Sequence, residues 1–129
     1  MDAATRAAVR ARASNTCEYC QRRQATSLLI PLQIEHVVSR KHHGSDDLDN
    51  LALACAECNL HKGSDLTGID PDTGQVIPLF NPRRDRWDEH FAWDELRIVG
   101  RSPVGRTRVG LLQLNSPARL RVRRATRID

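Results

Sequence analysis

The chain has little with which to fill an interior. Among 129 residues there are two Trp, two Phe, one Tyr and one Met, and aromatics amount to 4%. A chain of this length is one domain's worth and buries roughly two-thirds of its unfolded surface. With so few bulky side chains, a second source of stability is expected. There is no apolar run long enough for a signal peptide or a membrane span, and with four cysteines in two Cys-x-x-Cys pairs this leads to the expectation of a cytoplasmic protein with reduced thiols and no membrane partner. Internal repeats and low-complexity tracts are also missing. Acidic residues are scarce at one end only. Residues 1–65 carry eight Lys/Arg against eight Asp/Glu, whereas from Arg101 onward there are eight Arg and one Asp. Such a run is ordinary for a solvated helix face, and it also suits a polyphosphate backbone.

What is present is a set of four cysteines in two Cys-x-x-Cys pairs, Cys17/Cys20 and Cys55/Cys58, with 34 residues between the pairs. Four thiolates so arranged supply a tetrahedral structural zinc site. The ion would clamp the two ends of the intervening segment and contribute folding free energy that the small core lacks. A redox dithiol, an iron centre of rubredoxin type and free buried thiols are the competing readings. Redox motifs seldom come as two facing pairs, and an iron site leaves Glu35-His36 unexplained.

Local patterns divide the chain into a core over 14–65, a hairpin and linking strands over 66–100, and a basic helical tail over 101–129, all read as a single domain. Residues 2–13 are strong helix formers with an acid at the start and arginines later, matching the helix dipole. Ser14-Asn15-Thr16 ends that helix. From Ala25 to Val38, Leu28, Ile30, Leu32 and Ile34 alternate with other residues, the period of a half-buried strand or bent hairpin, with Pro31 at a bend or edge. Arg40 to Asn50 reads as a loop holding solvated His42 and His43, and Leu51 to Ala54 as a brief returning strand. Ala56 to Lys62 is helical, capped by Gly63 in a left-handed conformation. Asp70-Pro71-Asp72-Thr73-Gly74 turns a hairpin between Leu66–Ile69 and Val76–Phe80. Trp87, Phe91 and Trp93 are read as core anchors, His90 between them as structural, and Leu96–Val99 as a strand. Ser102-Pro103 and Ser116-Pro117 each pair an N-cap with proline at the first helical position, which predicts helices near 103–114 and 117–127. On the second, Ala118, Val122 and Ala125 form a narrow apolar stripe, with Arg119, Arg123 and Arg127 on another side.

Between the cysteine pairs lies the chemistry. Glu35-His36 is followed by Asn50, then by Asn59 within Cys-Asn-Leu-His-Lys-Gly, residues 58–63. This stretch, about 17–65, resembles the HNH endonucleases and their ββα-metal fold, and the segment from Gly68 to Asn115 is similar to the tail of a bacterial branch of that family. The resemblance implies that His36 is a general base, since an imidazole is largely neutral yet usefully basic at cellular pH. It implies Glu35 and Asn59 as ligands of one Mg²⁺ or Mn²⁺ ion, a hard cation that prefers oxygen, and Asn50 as the residue that pins the loop so that His36 stays aimed. A literal His-Asn-His match would take His61, but His61 lies about 200° round the helix from Asn59. Lys62, on the face of Asn59, is placed for a phosphate, and Arg40 and Lys41 for the same backbone if their loop folds over the cleft.

These readings lead to an α+β chain with a zinc-stapled ββα-metal core, an N-terminal helix, a β-hairpin and two C-terminal helices. Its expected activity is metal-dependent nicking of nucleic acid, DNA above all, with the arginine-rich helices holding the backbone without reading sequence. The alternative is the same zinc-stapled fold as a non-catalytic nucleic-acid-binding module, and a small redox or iron protein is the third reading.

Overall fold

Alanine and arginine propensity produces the first element. In a computed structural model that describes residues 1–27 and 29–126, helix α1 spans Ala3–Arg12, and its N-cap Asp2 accepts a hydrogen bond from the Thr5 N–H. Ser14 and Asn15, both at positive φ, end it. The contacts along the chain define two compact units, Met1–Ser64 with Asn81–Arg84, and Asp65–Phe80 with Asp85–Asp129. Apart from Asn81–Arg84, which belong to the first unit, the segments 66–100 and 101–129 fall together in the second. Among the described residues there are five α-helices and three separate two-stranded sheets, a mixed α+β architecture compatible with a ββα-metal core. No helix among them is long and apolar enough to cross a membrane.

In the first unit, β1 (Gln33–His36) pairs antiparallel with β2 (Leu51–Ala54), in register from Gln33 opposite Ala54 to His36 opposite Leu51. The chain then enters α2 (Ala56–Lys62) directly. All four β2 residues are buried. With Val9 of α1, Tyr19 and Leu32 they form the core of this unit. Arg12 secures α1 by donating to the carbonyls of Leu48 and Leu51 at 2.8 and 2.6 Å.

The strand expected from Ala25 onward is much shorter. Gln24–Thr26 is a 3₁₀ turn, and Leu29 and Ile30 are exposed rather than alternately buried. Pro31 brings no N–H to a ladder. The backbone before it is instead held by side chains: Gln24 accepts from the Leu32 N–H and donates to the Ser27 carbonyl, and Ser27 donates to the Ile30 carbonyl. Leu28 lies outside the described residues, as does Arg127 of the arginine row. Gly63 ends α2 at φ 52 and ψ −131, so its φ is positive but the left-handed helical cap is not formed.

In the second unit, β3 (Thr67–Ile69) and β4 (Val76–Pro78) form the hairpin turned by residues 70–74, with Gly74 at φ 73. Asp70 is wholly buried inside that turn. Its carboxylate accepts from the Asp72 N–H and the Thr73 hydroxyl, and receives both Nε and Nη2 of Arg106 at 3.1 and 2.8 Å. Short helix α3 (Trp87–His90) leads into β5 (Phe91–Asp94), which pairs antiparallel with β6 (Arg97–Gly100). Helices α4 (Pro103–Leu111) and α5 (Pro117–Thr126) begin at the two Ser-Pro signals. Ser102 caps α4 at Gly105 N–H and also bonds His90 Nδ1 at 2.7 Å. A Cβ on Gly105 would stand 1.9 Å from the His90 carbonyl oxygen, so that close approach requires glycine.

Two expectations for this unit are corrected. Phe91 is a buried anchor and Trp87 stacks on it at 5.2 Å between ring centroids, but Trp93 is 48% exposed, at the rim with Arg123 over its ring. On α5, Ala118 and Ala125 are exposed while Arg119 is buried, so the inward side is the arginine side. Arg119 donates to the Leu112 carbonyl and Arg123 to the Leu96 carbonyl. Arg108 on α4 is buried as well and donates to the carbonyl of Phe80. Exposed arginines near this end are Arg97, Arg101, Arg121 and Arg124.

The Asp70 turn makes this unit acid-sensitive. Arg106 holds the Asp70 carboxyl down to about 2 from its ordinary 3.8. A carboxyl lowered on folding stabilises fully above its unfolded value, and that contribution is lost as pH falls toward the folded value. The denaturation midpoint read by Trp fluorescence, both tryptophans lying in this unit, should fall between about pH 4 and pH 2. The Asp70→Asn variant should show a shallower slope there.

Candidate functional site

The cysteines come together through two different local structures. Residues 17–20 lie in a tight loop closed by the Thr16–Arg23 bridge, with Gln21 N–H bonded to the Cys17 carbonyl and Gln21 at φ 66. Cys55 is the N-cap of α2, and Cys58 lies in its first turn. In each pair the second backbone N–H points at the first sulfur, Cys20 to Cys17 Sγ at 3.5 Å and Cys58 to Cys55 Sγ at 3.4 Å. All four sulfurs are buried, unoxidised and within 4.8 Å of one another. Cys20 Sγ and Cys55 Sγ are 3.7 Å apart. Tetrahedral zinc with Zn–S bonds of about 2.3 Å requires edges of about 3.8 Å, so the donor set fits that ion. Hydrogen bonds from Cys17 first, then Cys20, pull the Cys55 thiol far below its ordinary value, while burial first pushes Cys17 up. A bound cation would favour the thiolate form of all four, since metal-ligating thiols must be deprotonated.

Beside the cluster, Glu35 is 4% and Lys62 2% exposed. Glu35 and Gln33 share one face of β1, two residues apart. Asn59 and Lys62, three apart on α2, meet that face. The Tyr19 hydroxyl donates to Glu35 Oε1, and Lys62 Nζ lies 3.4 Å from Glu35 Oε2 and 3.2 Å from the His36 carbonyl oxygen. Lys62 is thus turned inward as the counter-ion of Glu35, whereas the sequence reading had it facing a phosphate. Asn59 Nδ2 donates to Gln33 Oε1 at 2.6 Å, which directs its amide oxygen away from that contact.

His36 is the last residue of β1, where the strand ends and its side chain leaves the Glu35 face. Its Nε2 lies 2.6 Å from Asp46 Oδ1. Arg40 reaches both oxygens of Asp46 at 3.0 and 3.1 Å, and Lys41 is exposed next to it. Asn50 binds the loop at three points, accepting from the Val38 N–H and donating to the carbonyls of Val38 and Ser45. Gly44 makes this closure fit, because a Cβ there would fall 1.7 Å from the Val38 carbonyl oxygen. Each of Glu35, His36 and Asn59 therefore has its own protein partner. Among the described residues, the four cysteines are the group of His, Cys, Asp and Glu close enough together to share an ion.

Residues 17–65 match the family model described as HNH endonuclease. The HNH segment holds both cysteine pairs, β1, β2, α2 and the loop between the strands. No curated protein and no solved structure gives a significant match to the chain. Within the HNH segment the sequence reading did not foresee the contacts of Tyr19 with Glu35, of Gln33 with Asn59 or of Asp46, read there as part of a solvated loop, with His36. The period-two spacing of Gln33 and Glu35 was a signal for Gln33, and the position of Tyr19 inside Cys-x-x-Cys was one for Tyr19. Asp46 had none beyond its place in the loop.

Two outcomes follow from this arrangement. Purified chain should carry one zinc by elemental analysis, and either Cys55→Ser or a chelator should abolish amide protection in β1, β2 and α2. Lys62→Met should destabilise the chain by about 3–5 kcal/mol in urea denaturation, because it leaves a buried carboxylate without its ammonium. Adding Glu35→Gln to that variant should restore most of the loss.

Proposed function

We propose that the chain is a metal-dependent endonuclease that hydrolyses phosphodiester bonds in nucleic acid, nicking DNA to leave 5′-phosphate and 3′-hydroxyl ends. The observation that carries this reading is the HNH match over the segment that holds His36. In it His36 takes the proton of a water whose oxygen forms the new bond to phosphorus, while the bond to the 3′ oxygen breaks and that oxygen takes a proton from solvent. The Glu35 carboxylate and the Asn59 amide oxygen, both hard donors, would hold one Mg²⁺ or Mn²⁺. Such an ion supplies charge neutralisation at the scissile phosphate and the departing oxygen. Asn50 keeps the loop closed beside His36. Zinc on the four cysteines is structural, in keeping with reduced thiols and a cytoplasmic setting. Arg40, Lys41 and the exposed arginines of the second unit are the candidates for backbone contacts, as Lys62 would be once released from Glu35.

One observation favours the second reading, a zinc-stapled module that binds nucleic acid without cutting it. Both Glu35 oxygens already have protein partners, Tyr19 and Lys62. Incubating supercoiled plasmid with Mg²⁺, Mn²⁺ or EDTA separates the two. The nuclease reading expects metal-dependent nicking that falls by about 10²-fold or more in His36→Ala, the usual contribution of a general base. Plasmid binding that persists in EDTA, with no cleavage in any metal, would establish the binding module instead.

A further inference from the structure

Among the described residues, the ring of His36 pairs with the carboxylate of Asp46. Asp46 returns to it ten residues later through the loop closed by Asn50 and Gly44, and its Oδ1 stands 2.6 Å from Nε2. Arg40, in the 3₁₀ turn Arg40–His42, braces the same carboxylate on both oxygens. The hydrogen bond from His36 first, and then Arg40, holds the Asp46 carboxyl below its ordinary 3.8, so it is ionised at neutral pH. An ionised carboxylate only accepts hydrogen bonds. The nitrogen facing it must therefore carry the proton, and in the neutral ring Nδ1 is left with the lone pair.

We infer that Asp46 is the positioning residue for His36: it fixes the rotation and tautomer of the imidazole so that Nδ1 is the basic nitrogen, and Arg40 holds Asp46 in place. This rests on the nuclease reading for the use made of Nδ1. A ring nitrogen tied to a carboxylate sets which nitrogen is free to act. Arg40 meets Asp46 through Nη2 and is otherwise exposed, so the same guanidinium can brace Asp46 and still face a phosphate. The same contact limits which way the ring can turn, since rotating Nδ1 toward Asp46 would place a lone pair against a carboxylate oxygen.

Nitrogen-15 correlation spectra of the histidine side chains and plasmid nicking rates, measured on wild type, Asp46→Ala and Asp46→Asn, test the inference. Wild type should show His36 in the Nε2–H tautomer, and Asp46→Ala should show mixed tautomers. Turnover at saturating plasmid should fall about 10–100-fold in Asp46→Ala, the usual cost of removing a residue that orients a functional histidine. Its KM for plasmid and its zinc content should stay unchanged. Asp46→Asn keeps an oxygen that can accept from Nε2–H and should recover part of both effects. An unchanged tautomer and unchanged turnover in Asp46→Ala would overturn the proposal. If wild type cuts nothing in any metal, the nuclease reading falls by itself, and the tautomer comparison still decides whether Asp46 sets the ring.

Discussion

The first unit depends on closing a long loop, by bringing residues 17–20 against residues 55–58. Between those points lie β1, the loop and β2, and α2 starts at the third of the four cysteines. The entropy of closing a loop of 34 residues rises only slowly with its length. One cluster can therefore fix a segment that has few large apolar side chains of its own. The closure also has a chemical consequence. Tyr19 lies between Cys17 and Cys20, and its hydroxyl meets Glu35, so the loop that presents two sulfurs also fixes the carboxylate on β1.

Arginine fills much of the place that aromatic residues leave empty. Arg12, Arg108, Arg119 and Arg123 all run inward or along the surface to donate to backbone carbonyls. Hydrogen bonds from charged donors contribute about 1.5–3 kcal/mol each, more than neutral ones. Their long aliphatic stems cover apolar surface besides. The positive charge of the C-terminal stretch is thus divided between internal fastening and the exposed Arg101, Arg121 and Arg124. A count of charges along the sequence overstates the surface available to a polyphosphate.

Several features are legible in the sequence, and the reasons are local. The two Ser-Pro pairs started α4 and α5 because capping and proline geometry act within one turn. The grouping of the cysteine pairs and the bounds of α2 followed from spacing, and the short strand β2 from its position. Depth was not legible. Helical periodicity correctly put Lys62 on the side of Asn59, but it gives an angle round the axis and does not say whether that side meets water or a strand. The same gap concealed the burial of Arg119 on α5. Alternation over Leu28 to Ile34 suggested a long strand, yet Gln24 and Ser27 capture the backbone before Pro31, and such side-chain competition has no period to detect. The partnership of Asp46 with His36 spans a loop, where no repeat relates one residue to the other.

The three bonds of Asn50 have a consequence for the permitted length of that loop. Asn50 grips Val38 on one side and Ser45 on the other, while Val37 N–H bonds the Asn50 carbonyl, so the path from 38 to 45 is gauged by a single amide. An extra residue inside it would move Asp46 off the imidazole or break the grip. The described residues 24–27 and 29–32, by contrast, lie outside the ladder, with Leu29 in solvent. Natural variation in length should accumulate in the earlier connection and be purged from the later one.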